Sequence, residues 1–202
     1  MALWLLEKPL LLASRSPIRR EILRAAGVPV EVEAADIDER AVEQQSATRH
    51  PGEIAALLAR EKARAVALRR REWLVLGADQ TLALGDQRFS KPRDRAAARA
   101  QLLALRGRTH ELHTALAVMR EGSVVFEHRE SARLTMRDFS DCFLDDYLDA
   151  AGEAVTASVG GYQLEHAGVQ LFEHIDGDHF VILGLSLLPL LRHARHAGWL
   201  AT

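Results

Sequence analysis

The chain has only one cysteine, Cys142, in 202 residues. A single thiol excludes an intramolecular disulfide and a cysteine metal site, and it fits a reducing compartment. Charge of one sign is also lacking: 26 Lys and Arg stand against 28 Asp and Glu, for a net charge of −2. That balance argues against a nucleic-acid binder working through bulk electrostatics, so any cationic site must be local. No apolar run approaches the roughly 18 residues of a membrane span. The apolar opening Met1-Ala2-Leu3-Trp4-Leu5-Leu6 has no basic n-region, and Glu7 and Lys8 interrupt it, which argues against a signal peptide. No internal repeat, low-complexity tract or linker divides the chain. We therefore expect a soluble cytoplasmic protein, one domain over residues 1–202, with a core that needs no staples.

Helical and strand patterns are mixed throughout. Residues 9–13 read as a strand, 17–26 as a helix closed by Gly27, 28–35 as a strand, and 51–70 as a long helix opening at Pro51. Trp73 to Gly77 is a short apolar strand leading into Ala78-Asp79-Gln80, and a helix from Asp94 ends at Gly107. Residues 109–120 and 123–137 flank Glu121-Gly122 as a long β-hairpin. Residues 140–150 read as helix, 152–168 as irregular, 169–175 as strand and 186–196 as a last helix. The expected fold class is α/β: a mixed sheet flanked by helices, in two lobes around a central cleft.

Four clusters carry the chemistry. In Ser14-Arg15-Ser16-Pro17-Ile18-Arg19-Arg20, a strand gives way to a helix with Ser16 as N-cap and proline at the first position. Glutamate at the third helical position would complete a capping box, but Arg19 stands there and Arg20 follows. Hydroxyls, free N–H groups and cations at one helix N-terminus make an anion site; a capped helix with solvated arginines is the alternative. Asp36, Asp38 and Glu39 follow a strand and suit a hard cation, or else form a polar turn. Asp79 is expected at the carboxyl end of its strand, where α/β sheets bind ligands, against the alternative of a turn aspartate. Lys91 is pinned by Pro92 in a loop, whereas Lys62 cannot be told from Arg60 and Arg64 on a charged helix. His110 and His113 fall in a strand, where a spacing of three puts them on opposite faces. His193 and His196 sit near a helix end that favours cations anyway, so a zinc site is not expected.

With these residues in order, the chain resembles the Maf family of nucleoside triphosphate pyrophosphatases from near end to end. The resemblance runs through Ser14-Arg15-Ser16-Pro17-Ile18-Arg19, Ile37-Asp38-Glu39, Ala59-Arg60-Glu61-Lys62-Ala63, Gly77-Ala78-Asp79 and Lys91-Pro92. It continues in Leu105-Arg106-Gly107-Arg108-Thr109-His110, Ile175-Asp176-Gly177-Asp178 and Gly184-Leu185-Ser186-Leu187. It implies hydrolysis of a nucleoside triphosphate to the monophosphate and pyrophosphate, a divalent cation (Mg²⁺ or Mn²⁺) and a homodimer. By position it implies Asp79 as catalytic acid, Glu39 as a metal-binding or water-positioning carboxylate, and Ser14, Ser16, Arg19, Lys62 and Lys91 around the phosphates. A cation between carboxylate and phosphate oxygens activates water and neutralises the leaving group, and the basic residues supply the remaining field.

Departures from the family pattern bear on the base. Members resembling the dTTP/UTP hydrolases have arginine, threonine and glutamine where this chain has Ile18, Gln80 and Glu165. The branch acting on 7-methyl-GTP is similar to this chain at two of them, with glutamine after the aspartate and glutamate in the loop, and at the third it also lacks the arginine. Glutamine matches the donor–acceptor edge of thymine or uracil, whereas a carboxylate accepts from the N1–H and amine of guanine. A pyrimidine-directed or broad house-cleaning hydrolase, and a nucleotide-binding regulator of cell division, are the alternative functions.

Overall fold

A computed structural model describes residues 3–202, so Met1 and Ala2 of the apolar opening lie outside the described residues. The elements in chain order are β1 (Leu10–Leu12), α1 (Pro17–Ala25), β2 (Val30–Val32), α2 (Glu39–Gln45), α3 (Pro51–Arg69), β3 (Val75–Leu84) and β4 (Gln87–Phe89). They continue with α4 (Arg95–Leu105), β5 (Thr109–Arg120), β6 (Ser123–Met136), α5 (Asp141–Ala151), β7 (Phe172–Asp176), α6 (His179–Ile182) and α7 (Leu187–His196). Three short 3-10 turns fill the irregular stretch after α5.

The strands form one mixed sheet in the order β2-β1-β3-β5-β6-β7, with β4 also paired to β3. β1 lies parallel to β2 and β3, while the β3–β5–β6–β7 half is antiparallel. The β5–β6 hairpin turns through Glu121 and Gly122, both with positive φ (52° and 80°). Two left-handed central residues make the primed turn whose twist matches the strands it joins. α4 and α5 start where their sequences call for it, since Asp94 accepts from Ala97 N and Ser140 from Phe143 N.

Several expectations need correction. The second strand is shorter than read, only Val30–Val32, and the acidic stretch after it opens a helix rather than a turn: Asp38 caps α2 by accepting from Ala41 N. β3 does not stop near Gly77. It runs to Leu84 because β5 pairs with it continuously from Val75↔Met119 to Ala83↔Glu111. Asp79 therefore sits inside a strand, not at its carboxyl end.

What opens the sheet at Asp79 is the other edge of β3. β1 pairs with it only through Leu76, and β4 takes up pairing only from Leu82. Over Gly77–Thr81 the strand has β5 on one side and a notch on the other. Because side chains alternate along a strand, Gly77, Asp79 and Thr81 face α3, and Leu76, Ala78, Gln80 and Leu82 face the other helices. On that second face lie two apolar cores. One gathers Leu12, Ile22, Leu23, Leu76, Ala78 and Leu190, the other Leu82, Leu102, Leu134, Leu144 and Tyr162. These are the two lobes, and Gln80 falls between them.

The second core contains a buried polar pair. His110 is 1% exposed, and its Nε2 lies 2.7 Å from the Tyr162 hydroxyl. Its Nδ1 has no hydrogen-bond partner among the described residues. Burial pushes the His110 pKa down from its ordinary 6.5 to about 4. The unfolded chain therefore binds a proton that the folded one refuses. The stability that neutral His110 contributes is complete above pH 6.5 and is lost as pH falls toward 4. A shift of that size corresponds to about 3 kcal/mol. Urea unfolding at pH 7 and pH 4.5 should show a smaller acid loss in His110→Phe than in the wild type; equal losses would remove His110 from the account.

Candidate active site

The site assembles at the notch in β3. Asp79, 7% exposed, is one of the few buried charged residues. Its Oδ1 lies 2.6 Å from Lys62 Nζ, and the same ammonium is 2.8 Å from Glu39 Oε1. Lys62 rises from the middle of α3 and Glu39 from the first turn of α2, so two helices and a strand meet in one ion triad. The Asp79 and Lys62 side chains are both largely buried, whereas that of Glu39 is 51% exposed. Burial pushes the Asp79 pKa up, opposed by the charges of Lys62 and Arg19.

Depth also separates Lys62 from its neighbours on α3, as the charge pattern could not. The Arg60 and Arg64 side chains are 47% and 59% exposed and pair with Glu127 and Glu61. They form the solvated face; Lys62 alone turns into the notch.

Arg19 approaches from α1. Its Nε donates to the Gly184 carbonyl at 2.7 Å, and its Nη1 to the Ala78 carbonyl at 2.8 Å and to Ser14 Oγ at 3.2 Å. The guanidinium fork thus ties β3 to the turn before α7. Burial lowers its pKa, while Asp79 and Glu39 raise it. Gly184, at φ 89°, is required twice: for its backbone conformation, and because a Cβ there would lie 3.2 Å from Arg19 Nη2. Arg20, expected at the same focus, is exposed to solvent instead.

At the start of α1 the serines behave differently from a conventional cap. Ser16 occupies the N-cap position but makes no side-chain cap bond, and the first turn carries no acidic residue. Ser14 Oγ accepts from the Ser16 amide at 3.2 Å and from Arg19, which leaves its own O–H to donate. Uncapped N–H groups, two hydroxyls and a nearby guanidinium fit a phosphate. Lys91 is exposed on the loop before α4 but near enough for the cluster to act on its charge: desolvation lowers its pKa first, then Arg19 and Lys62, while Glu39 and Asp79 raise it. The cluster therefore carries three cations against two carboxylates, a field that favours a polyanion.

The three residues singled out for base selectivity are placed less closely. Gln80 spends its amide nitrogen on the scaffold, 2.9 Å from the Val181 carbonyl, 3.0 Å from that of Ile182 and 3.0 Å from Thr114 Oγ1. Those carbonyls are held in place by Asp178, which caps α6 by accepting from Phe180 N and Val181 N. Ile18 packs half-buried against the first core. Glu165 is exposed in the turns after α5, with no ion pair or hydrogen bond among the described residues.

Asp79 and Glu39 offer hard oxygen ligands from two sides of one ammonium, the donor type that Mg²⁺ or Mn²⁺ takes. Among the described residues no group of three or more His, Cys, Asp and Glu could hold a metal unaided. A divalent cation fits only if phosphate oxygens and water complete its shell, as Mg²⁺ commonly requires. Residues missed by sequence reasoning are backbone acceptors, the carbonyls of Ala78 and Gly184. A cavity of about 270 Å³ beside α1, lined by Ile22, Ala25, Phe180 and Leu187, contains none of the charged cluster. No helix among the described residues is long and apolar enough to cross a membrane.

Residues 9–197 match the family model described as Maf-like protein. A protein of Rhodopseudomonas palustris (strain BisB18) named nucleoside triphosphate pyrophosphatase is 54% identical over the whole of both chains. Proteins of the same name from Bradyrhizobium diazoefficiens and Paramagnetospirillum magneticum are 53% and 50% identical. They cover 96% and 93% of this chain, and 96% and 98% of their own length is matched. Among solved structures, a HAM1 protein from Coxiella burnetii is similar over 64% of this chain and 73% of that one, with 15% identity and a TM-score of 0.41.

Proposed function

The chain belongs to the Maf family, and from that premise we propose that it hydrolyses 7-methyl-GTP to 7-methyl-GMP and pyrophosphate. The coarser activity is firm: it is a nucleoside triphosphate pyrophosphatase, a hydrolase, like full-length relatives 50–54% identical to it. The observation that carries the mechanism is the triad of Asp79, Lys62 and Glu39 in the β3 notch, beside the uncapped start of α1.

In this reading the triphosphate lies across the mouth of the notch. Ser14, Ser16 and the first N–H groups of α1 hold its phosphate oxygens, and Arg19 and Lys91 face the charge that grows on the leaving pyrophosphate. Asp79 supplies the buried anionic oxygen toward the attacking water, and Lys62 fixes where that oxygen points. Water oxygen bonds to the α-phosphorus as its proton passes to the Asp79 carboxylate, the bond to the bridging oxygen breaks, and pyrophosphate leaves with the electron pair. Glu39 and Asp79 are the residues that would hold a divalent cation, which when bound neutralises phosphate charge and acidifies water.

Base preference follows from which polar atoms remain uncommitted. With its nitrogen engaged by Val181, Ile182 and Thr114, Gln80 has only Oε1 left to offer. Glu165 is acceptor-only when ionised. Two acceptors suit the donor-rich edge of guanine, whose N1–H is sharpened by methylation at N7, better than the alternating edge of a pyrimidine. Glu165→Gln should move the ratio of 7-methyl-GTP to UTP turnover toward UTP by about tenfold. The measurement is pyrophosphate release from 7-methyl-GTP, GTP, dTTP, UTP, CTP and ITP with Mg²⁺ or Mn²⁺. An unchanged ratio, or a wild type that prefers dTTP or UTP, would sink the base assignment while leaving the enzyme class intact.

A further inference from the structure

We infer that Gly77, with the alanine ridge it meets on α3, is a positioning residue for the reaction: it sets the depth of α3 on the sheet and thereby the contact of Lys62 with Asp79. The inference rests on the catalytic reading of those two side chains. Gly77 is not needed for its backbone, since it is absent from the residues with positive φ. It is needed for approach. A Cβ there would lie 2.0 Å from the Ala59 carbonyl oxygen, 2.7 Å from the Ala63 amide nitrogen and 2.9 Å from the Ala63 Cβ.

The opposing surface of α3 is matched to this. Ala55, Ala59, Ala63 and Ala67 recur every fourth residue, one per turn and all buried, against Ala115 and Ala117 of β5. Nothing on this ridge is larger than a methyl group, so the helix backbone lies almost directly on the β3 backbone. Lys62 adjoins Ala63, and Asp79 follows Gly77 by two residues on the same face of β3. The Gly77–Ala63 contact and the Lys62–Asp79 contact are thus neighbouring rungs of one ladder. The atoms a methyl group would strike are helix backbone, which cannot rotate aside as a side-chain tip can. The helix as a whole must lift, by about 1 Å, a misplacement that can cost on the order of 100-fold in rate. The phosphate-facing Ser14, Arg19 and Lys91 stand on other elements, so the loss should fall on kcat and leave KM within about threefold.

A double-mutant cycle separates positioning from general damage. In the wild type, Gly77→Ala should lower kcat for 7-methyl-GTP (or dTTP, if the wild type prefers it) by about 100-fold. In a Lys62→Ala background the same substitution should cost no more than about twofold, because the contact it spoils is already gone. Should Gly77→Ala fail to fold, Ala63→Val raises α3 from the opposite side and enters the same cycle. Leu144→Ala, in the second core on α5 and away from α3, is the control, expected to lower the unfolding midpoint while holding kcat within about threefold. Additive losses in the cycle, or a Leu144→Ala loss of kcat equal to that of Gly77→Ala, would overturn the inference. A Lys62→Ala enzyme as fast as the wild type would instead overturn the catalytic reading beneath it.

Discussion

Asp79→Asn should lower kcat by about 10³-fold or more, with little change in KM. The amide keeps the shape of the side chain but removes the one charged oxygen buried at the centre of the notch. It can neither accept a proton from water nor contribute a full charge to a cation. Folding should survive, because Lys62 keeps Glu39 at 2.8 Å and is not left as an unpaired buried charge. A cooperative melt with no detectable pyrophosphate release is the expected pair of results. Turnover within about tenfold of the wild type would remove Asp79 from the chemistry.

Arg19→Lys should injure stability and activity together, which sets it apart from Asp79→Asn. The guanidinium reaches the Gly184 carbonyl at 2.7 Å, the Ala78 carbonyl at 2.8 Å and Ser14 Oγ at 3.2 Å. An ammonium has no fork with which to span these three acceptors. At least one carbonyl would lose its partner, and the turn before α7 would no longer be tied to β3. The stability loss should be about 2–4 kcal/mol in urea unfolding. Turnover per KM should drop by about 10²-fold, since the cation that faces the leaving group is displaced as well. A fully active, fully stable Arg19→Lys would mean that charge alone matters at this position.

Local rules account for the elements that the sequence made legible. Pro17 after Ser16, Asp94, Ser140 and the Glu121-Gly122 turn each encode a boundary through their own backbone chemistry, and each boundary falls where it was read. α2 escaped because it is seven residues long with no buried residue, so no apolar period marks it. The sequence places Asp79 just past the apolar run Trp73 to Gly77, at an expected strand end, and the structure corrects that placement. Tertiary pairing with β5 carries the strand on through Asp79 regardless.

The candidate site was partly legible for the same reason. Its side chains are named by motif, and four elements far apart in sequence bring Arg19, Glu39, Lys62 and Asp79 together. What local pattern could not supply was depth. Lys62 and Arg60 are both basic residues of one helix, two positions apart and so on different faces, and the face that α3 packs on the sheet decides which of them is buried. Likewise the partners of Arg19 are two main-chain carbonyls, and any residue type has one of those. Ser16 was read as a capping side chain because serine usually is one. Its hydroxyl makes no cap bond here, and the Ser16 amide donates to Ser14 Oγ instead.

If the β3 notch directs water to the α-phosphorus of a nucleoside triphosphate, hydrolysis in ¹⁸O-labelled water, followed by ³¹P NMR and mass spectrometry, should yield nucleoside monophosphate carrying one ¹⁸O and unlabelled pyrophosphate. Asp79→Asn should yield neither product. Label in the pyrophosphate, or nucleoside diphosphate and phosphate as the products, would place the attack on another phosphorus and contradict this mechanism.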